Sequence, residues 1–584
     1  MGSNSQPMFR ACALTELASR DCLLVRGADR PVVLFYNGGD LRAVDNRCPH
    51  LGFPLHRGSI KDGMITCHWH HARFDAASGS TFDLWADDVP PYEVQVRDGQ
   101  VYVSSHPRPR DPVPYGMMRL RSGMEHNIGL ISAKAILTLR TAQVKTSDIV
   151  RTAALYGLEN RDGWAMGLTI LTAMANLLDH LQESTAFLAL YQGVRRTAAD
   201  CAGQPSRRLR QALETDDLDL ATLGRWLGYW TLVRHRDGAE RTVLTAIANP
   251  STHSEVGRLL MNAAVDRFYA DGGHLVDFCN KAWELLELIG PQHADRVLPA
   301  LMGQLAAARG GEETNPWRHP LDLVPLVQRT SEQLPTLFHN AASDRWDGVT
   351  DLAETILGDD PASTLAAIEG AIRGGARPAQ LSKALAYAAV KRVAHFGTAN
   401  EISDWVAALH SFSYCNALHR AIERWPDPML VRGVLHGAMS VYLNRFLNVP
   451  PARLPGQRGS LEALPGDAGE LRRSFLESLD RQQQVDEAAR IVARYLQLGH
   501  AAGPLIDTLT LAAVREDADF HTLQMLEAGV AQYGQWGPGP QGTVCLVAVA
   551  RYLAAHSPTQ RGQLQTANIA GRLHRGEALY GDED

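Results

Sequence analysis

Cys48-Pro49-His50 is followed, after sixteen residues, by Cys67-His68-Trp69-His70, a C-x-H-x16-C-x-x-H arrangement. Two thiolates and two imidazoles suit either a tetrahedral zinc or a two-iron cluster whose irons carry different ligand pairs. Each short segment holds one Cys and one His, so each loop is able to give one ligand to each iron. Zinc fingers more usually pair Cys with Cys and His with His.

The flanking sequence supplies loops of the right kind. Val32-Val33-Leu34-Phe35-Tyr36 leads through Asn37-Gly38-Gly39 to Leu41–Val44, and Tyr92–Val96 turns at Asp98-Gly99 into Val101-Tyr102-Val103. Alternating apolar residues around Asp-Gly predict hairpins. Residues 1–105 are therefore expected to form an all-β domain. His106–Pro114 carries four prolines, which fix φ and remove donors, so 106–115 reads as a linker. From 116 onward the apolar period becomes helical, as in Leu275, Phe278, Cys279, Ala282, Leu285, Leu286 and Ile289. A Pro- and Gly-rich break at 449–469 divides a helical region expected to be catalytic, 116–448, from a C-terminal helical region, 470–584. No repeat period is evident.

At this point the β segment resembles a Rieske [2Fe–2S] domain, including Arg73-Phe74-Asp75, Ser78-Gly79 and the closing hairpin. The resemblance implies a multidomain chain: a two-sheet β sandwich with cluster-binding hairpin loops, then a large all-α region. It also implies that Cys48 and Cys67 bind one iron and His50 and His70 the other. No extra cysteine lies in either loop, so the domain looks like the ferredoxin and oxygenase branch rather than the disulfide-bearing cytochrome-complex branch. That branch usually has Pro after the second Cys and Gly after the second His. Here the positions hold His68 and His71, which puts the local turn in question.

Such a domain carries single electrons, and another site must use them. The D-x2-H-x4-H signature of Rieske oxygenases is absent, as is a Gly-rich dinucleotide fingerprint, so an external electron donor such as a ferredoxin reductase is expected. Seventeen of the 22 histidines lie beyond residue 105, which leaves room for a second iron or other metal site. Three constellations are candidates. His180 and Glu183 stand three apart, with a solvated helix end as the alternative. His410 and His419 lie in a stretch, Trp405–His419, without a charged residue. They fall on opposite faces of a helix, so satisfied core histidines are the alternative. His274 and Asp277, continued by Lys281 and Glu284, read most simply as a solvated face. His436, His521 and His556 carry no distinguishing pattern.

Composition sets the remaining bounds. With 57 Lys and Arg against 64 Asp and Glu, the net charge is −7 and no basic block points to nucleic acid. Neither a signal peptide nor a membrane span is expected, which predicts a cytoplasmic location. The expected function is an oxidoreductase passing single electrons to a metal- and O2-dependent site that acts on a small organic substrate, with homo-oligomerisation open. The alternative is an electron-transfer or redox-sensing protein whose helices form a protein-binding scaffold.

Overall fold

In a computed structural model, residues 7–215, 218–248, 253–343, 345–457, 460–577 and 579 are described. The chain divides into two compact units, one of Met1–Ala153 with Gln563–Asp584 and one of Ala154–Gly562.

The first unit opens with nine strands: β1 (Met8–Ala13), β2 (Cys22–Val25), β3 (Val32–Asn37), β4 (Asp40–Asp45), β5 (Ser59–Lys61), β6 (Met64–Thr66), β7 (Arg73–Asp75), β8 (Pro91–Arg97) and β9 (Gln100–Pro107). They form a six-stranded sheet, ordered β1-β9-β8-β4-β3-β2, and a three-stranded sheet, β5-β6-β7. Both hairpin signals in the sequence become two-residue turns. Gly38-Gly39 joins the Asn37↔Asp40 pair, and Asp98-Gly99 joins Arg97↔Gln100. All four turn residues have positive φ, which matches the strand twist. The two faces of β3 serve two cores. Val33 and Phe35 pack with Ile65 and Phe74 beneath the cluster loops, while Val32 and Leu34 pack with Tyr92, Val101 and Val103.

The proline-rich segment is shorter as a connection than 106–115. β9 continues to Pro107 and a helix, Pro112–Glu125, starts with proline at its first position and the Asp111 carboxylate accepting Val113 N–H. Proline is tolerated there because the first helical N–H has no partner in any case. This helix packs on the next, Gly129–Thr141. Helices therefore belong to the same unit as the β domain.

The second unit is helical. Four of its helices, Met166–Leu177, His274–Ile289, Ile402–Arg424 and Phe520–Trp536, close a ring in which each packs against two others. Among the described residues no helix is long and apolar enough to cross a membrane.

The ring buries charge. Asp277, Lys281 and Glu284, which read as a solvated face, are 2%, 1% and 4% exposed. The expectation fails because the helix is enclosed on both sides and Lys281 and Glu284 find partners inside. Lys281 Nζ lies 2.7 Å from Glu284 and 2.8 Å from Glu527, while Asn176 donates to both carboxylates at 2.9 and 3.1 Å.

Candidate redox and metal sites

The cluster loops connect β4 to the short turn Leu55–Arg57 and β6 to β7. Each is pinned across its base: Cys48 N–H donates to Phe53 C=O and Cys67 N–H to Ala72 C=O, both at 2.8 Å. Cys48 and Cys67 are 2% and 1% exposed. Their thiols are hydrogen-bonded to each other, and Cys48 is pushed up by that bond and by burial, while Cys67 is drawn down by the same bond. Backbone N–H groups of His50 and Leu51 serve Cys48, and those of Trp69 and His70 serve Cys67. The imidazoles of His50 and His70 meet edge to face with centroids 4.9 Å apart, and Trp85 packs on His50 at 4.6 Å. Burial, then His70 and Lys134, hold His50 down at about 4, so it is a neutral donor at pH 7. Two sulfurs that already accept backbone N–H groups, beside two imidazoles, fit a [2Fe–2S] cluster.

His71 answers the question raised by the missing glycine. Its φ is +61°, the left-handed conformation that glycine would take more cheaply. In the other loop Gly52 has φ +82°, and a Cβ there would meet the Leu573 side chain at 3.2 Å. The loop is also held from the neighbouring helices. Lys134 Nζ donates to Pro49 C=O and pairs with Asp87 at 3.0 Å, and Arg119 pairs with Asp87 at 2.9 Å.

The helical candidates separate. His180 ends a short turn, Leu178–His180, whereas Glu183 begins the next helix. Leu181 between them is extended, so they do not share a helix face, and both are exposed. His419 is buried with Nδ1 3.0 Å from Ser382 Oγ. Asp277 accepts a hydrogen bond from Gln524 Nε2, and burial pushes its carboxyl up to about 7.

His274 and His410, however, come together, and they are joined by His521, which has no sequence pattern to mark it. One ring nitrogen from each lies within 4.8 Å of the others. His274 is the first residue of its helix, His410 sits mid-helix, and His521 lies in the first turn of Phe520–Trp536. His410 Nε2 and His521 Nε2 are 2.9 Å apart. Burial, then the other two imidazoles, lower His410 to about 3. The three are half-buried. Among the described residues this is the one group of three or more His, Cys, Asp or Glu placed to share an ion.

Comparison with known proteins bears on the first site. The Rieske [2Fe-2S] domain family model matches residues 8–93. No family model matches the rest of the chain. A human Rieske domain-containing protein is 46% identical over 55 residues, 9% of this chain and 35% of that protein. The ferredoxin subunit of 3-phenylpropionate/cinnamic acid dioxygenase from Photorhabdus laumondii is 33% identical over 75 residues, 12% of this chain and 71% of the subunit. The chain spans 35% of the length of the human Rieske domain-containing protein and 12% of human apoptosis-inducing factor 3. Among solved structures, the ferredoxin of carbazole 1,9a-dioxygenase from Nocardioides aromaticivorans IC177 aligns at 24% identity and TM-score 0.16, covering 17% of this chain and 98% of that one. Through residues 8–93 the chain belongs to the Rieske [2Fe–2S] family.

Proposed function

We propose that this chain is an oxidoreductase whose Rieske domain takes single electrons from a separate reductase and delivers them to a metal- and O2-dependent site in the helical unit, where a small organic substrate is oxidised. The observation that carries the reading is the pairing of buried Cys48 and Cys67 with the touching imidazoles of His50 and His70. In this reading Cys48 and Cys67 hold one iron, and His50 and His70 the other. A bound cluster supplies one electron at a time, at a potential raised because two neutral imidazoles replace two thiolates.

The protein's own residues set the conditions for that exchange. The backbone N–H groups on both sulfurs stabilise negative charge there. Trp85 and the Asp87–Lys134–Arg119 cluster hold the first loop in register, and the left-handed His71 shapes the second. Trp69 stands beside the His70 ring at 4.1 Å and is 40% exposed, so the imidazole edge faces the solvent side of the domain. Destination chemistry is supported by the three convergent imidazoles of the second unit, beside which a cavity opens.

Cys48→Ser and His70→Ala, each purified anaerobically, test the reading. Both are expected to lose the visible absorption and the reduced-state EPR signal of the cluster while keeping the helical circular dichroism. Retention of both signals in both variants contradicts the ligand assignment.

A further inference from the structure

From the placement of His274, His410 and His521 we infer that these residues hold one divalent first-row transition-metal ion, with an open coordination position turned toward a cavity that accepts a small molecule that is not a cation. As an oxidation site this rests on the function proposed above; as an ion site it stands on the geometry of the second unit alone.

Spacing is the first argument. Two imidazole nitrogens bound at about 2.1 Å and at right angles around one ion lie about 3 Å apart. His410 Nε2 and His521 Nε2 are 2.9 Å apart. The third ligand atom is within 4.8 Å of both, so a small rotation of the His274 ring completes the set. Only imidazole nitrogens converge, with neither thiolate nor carboxylate. Such a set disfavours magnesium and calcium, which want oxygen, and suits iron, copper, cobalt, nickel or zinc. Three protein ligands also leave a position free, the pattern of sites that do chemistry rather than sites that staple a fold.

Orientation is the second argument. His521 turns Nδ1 toward the Asp519 carboxylate at 3.6 Å, leaving Nε2 for the ion. Asp519 is itself fixed as the helix cap, accepting from Thr522 N–H at 2.8 Å. A carboxylate behind a ligating imidazole sets its tautomer and raises its basicity. On the other side, His274 follows a backbone turn in which Tyr269, Asp271, Gly272 and Gly273 all have positive φ. Conformations of that kind cost about 1–3 kcal/mol at each non-glycine position and persist where the surroundings impose them. Here Asp271 N–H is held by Arg309 C=O at 2.9 Å and Phe268 N–H by Glu312 at 2.9 Å.

The third argument is the space in front of the ion. A cavity of about 490 Å³ opens on His410 and is walled by Tyr269, Trp317 and Phe446, with Ser440 and Asn444 as polar groups. That volume lies within the range of small-molecule sites. His319 lines it but no Asp, Glu, Lys or Arg does, so with the dication in place a cationic ligand would meet like charge and no counter-charge. Ser440 is bonded to Ser411, and Asn444 donates to Ser411 at 2.6 Å, which fixes the polar edge. The ligand class that fits is ring-bearing, not cationic, and able to make one or two hydrogen bonds.

The test uses the full chain and two probes, Co(II) and 4-phenylimidazole. After removal of non-cluster metal, Co(II) is expected to bind one equivalent with visible ligand-field bands, and the cluster's absorption is subtracted with the Zn(II) form. His521→Gln should weaken Co(II) by about 100-fold or more, and Asp519→Asn by about tenfold, following the known cost of outer-shell changes. In the wild type, 4-phenylimidazole should shift the Co(II) bands, whereas the cationic 4-(4-(aminomethyl)phenyl)imidazole should shift them far less. Ala407→Trp, which fills the cavity, should abolish that shift and keep the bands. Absence of Co(II) bands in the wild type, or wild-type Co(II) affinity in both His521→Gln and His410→Gln, overturns the ion site. Equal shifts by the neutral and cationic probes overturn the cavity assignment. Neither result touches the cluster signals of Cys48→Ser and His70→Ala, so failure here and failure of the proposed function are separately visible.

Discussion

His410 Nε2 lies 2.9 Å from His521 Nε2, although 111 positions separate the two residues in the chain. Their helices, Ile402–Arg424 and Phe520–Trp536, pack side by side in the four-helix ring, and His274 is delivered to the same end by a third. Below the histidines the ring holds Asp277, Lys281, Glu284 and Glu527 in its interior. The helical unit is thus a bundle with a polar axis and an imidazole cluster at one end of it.

His71→Gly should stabilise the cluster domain. His71 has φ +61°, and an L-residue in that region costs about 1–2 kcal/mol, part of which glycine gives back through its freer unfolded chain. The expected net gain is about 0.5–1 kcal/mol, read as a raised thermal midpoint with unchanged cluster absorption. A lowered midpoint would show that the imidazole of His71 makes a contribution larger than its backbone strain.

Asp87→Ala should loosen the first cluster loop. Asp87 pairs with both Arg119 and Lys134, and the three side chains are 14%, 8% and 12% exposed. Removing the anion leaves two nearly buried cations facing each other, at a cost of about 3 kcal/mol. Urea unfolding of the variant should show the loss, and cluster release on dilution should be faster. Charge-neutral Asp87→Asn is expected to lie close to Asp87→Ala, because it is the charge that the cations require.

Asp277 gives a pH dependence with a definite sign. Burial pushes its carboxyl up to about 7, and Glu527 and Glu284 push the same way, against Lys281 and the Gln524 hydrogen bond. Free aspartate titrates near 3.9. Between about pH 4 and pH 7 the unfolded chain therefore releases this proton while the folded chain keeps it, so the group's contribution to stability falls as pH rises and levels off above 7. Asp277→Asn should remove about 1 kcal/mol per pH unit of that slope. Parallel urea titrations at pH 5 and pH 7 measure it; identical slopes in the two proteins would contradict the assignment.

Much of the cluster domain is written locally in the sequence. Cys48, His50, Cys67 and His70 fall within one short span, and Asp98-Gly99 and Gly38-Gly39 mark turns whose positive φ the structure adopts. Even the doubtful position, His71, is a local matter of one backbone angle. The helical site is different. His274, His410 and His521 meet only because three helices pack, and no spacing along the chain links them. His180 and Glu183 look paired by spacing, yet a break at Leu181 separates them. Asp277 and Lys281 look solvated because an apolar stripe lies opposite, yet a helix flanked by helices on both sides buries that charged face as well. The one sequence signal near His521 is Asp519, a capping residue directly before its helix, and capping residues are common.

The most direct test of the whole account is the rate at which a chemically reduced cluster is reoxidised by O2, followed by stopped-flow absorption in the full chain and in His521→Gln. With equal cluster spectra at the start, reoxidation should be slower in the variant by about tenfold or more, because the helical site no longer holds the ion that accepts the electron. Equal rates in the two proteins would contradict the claim that electrons from the Rieske domain are used at the His274–His410–His521 site.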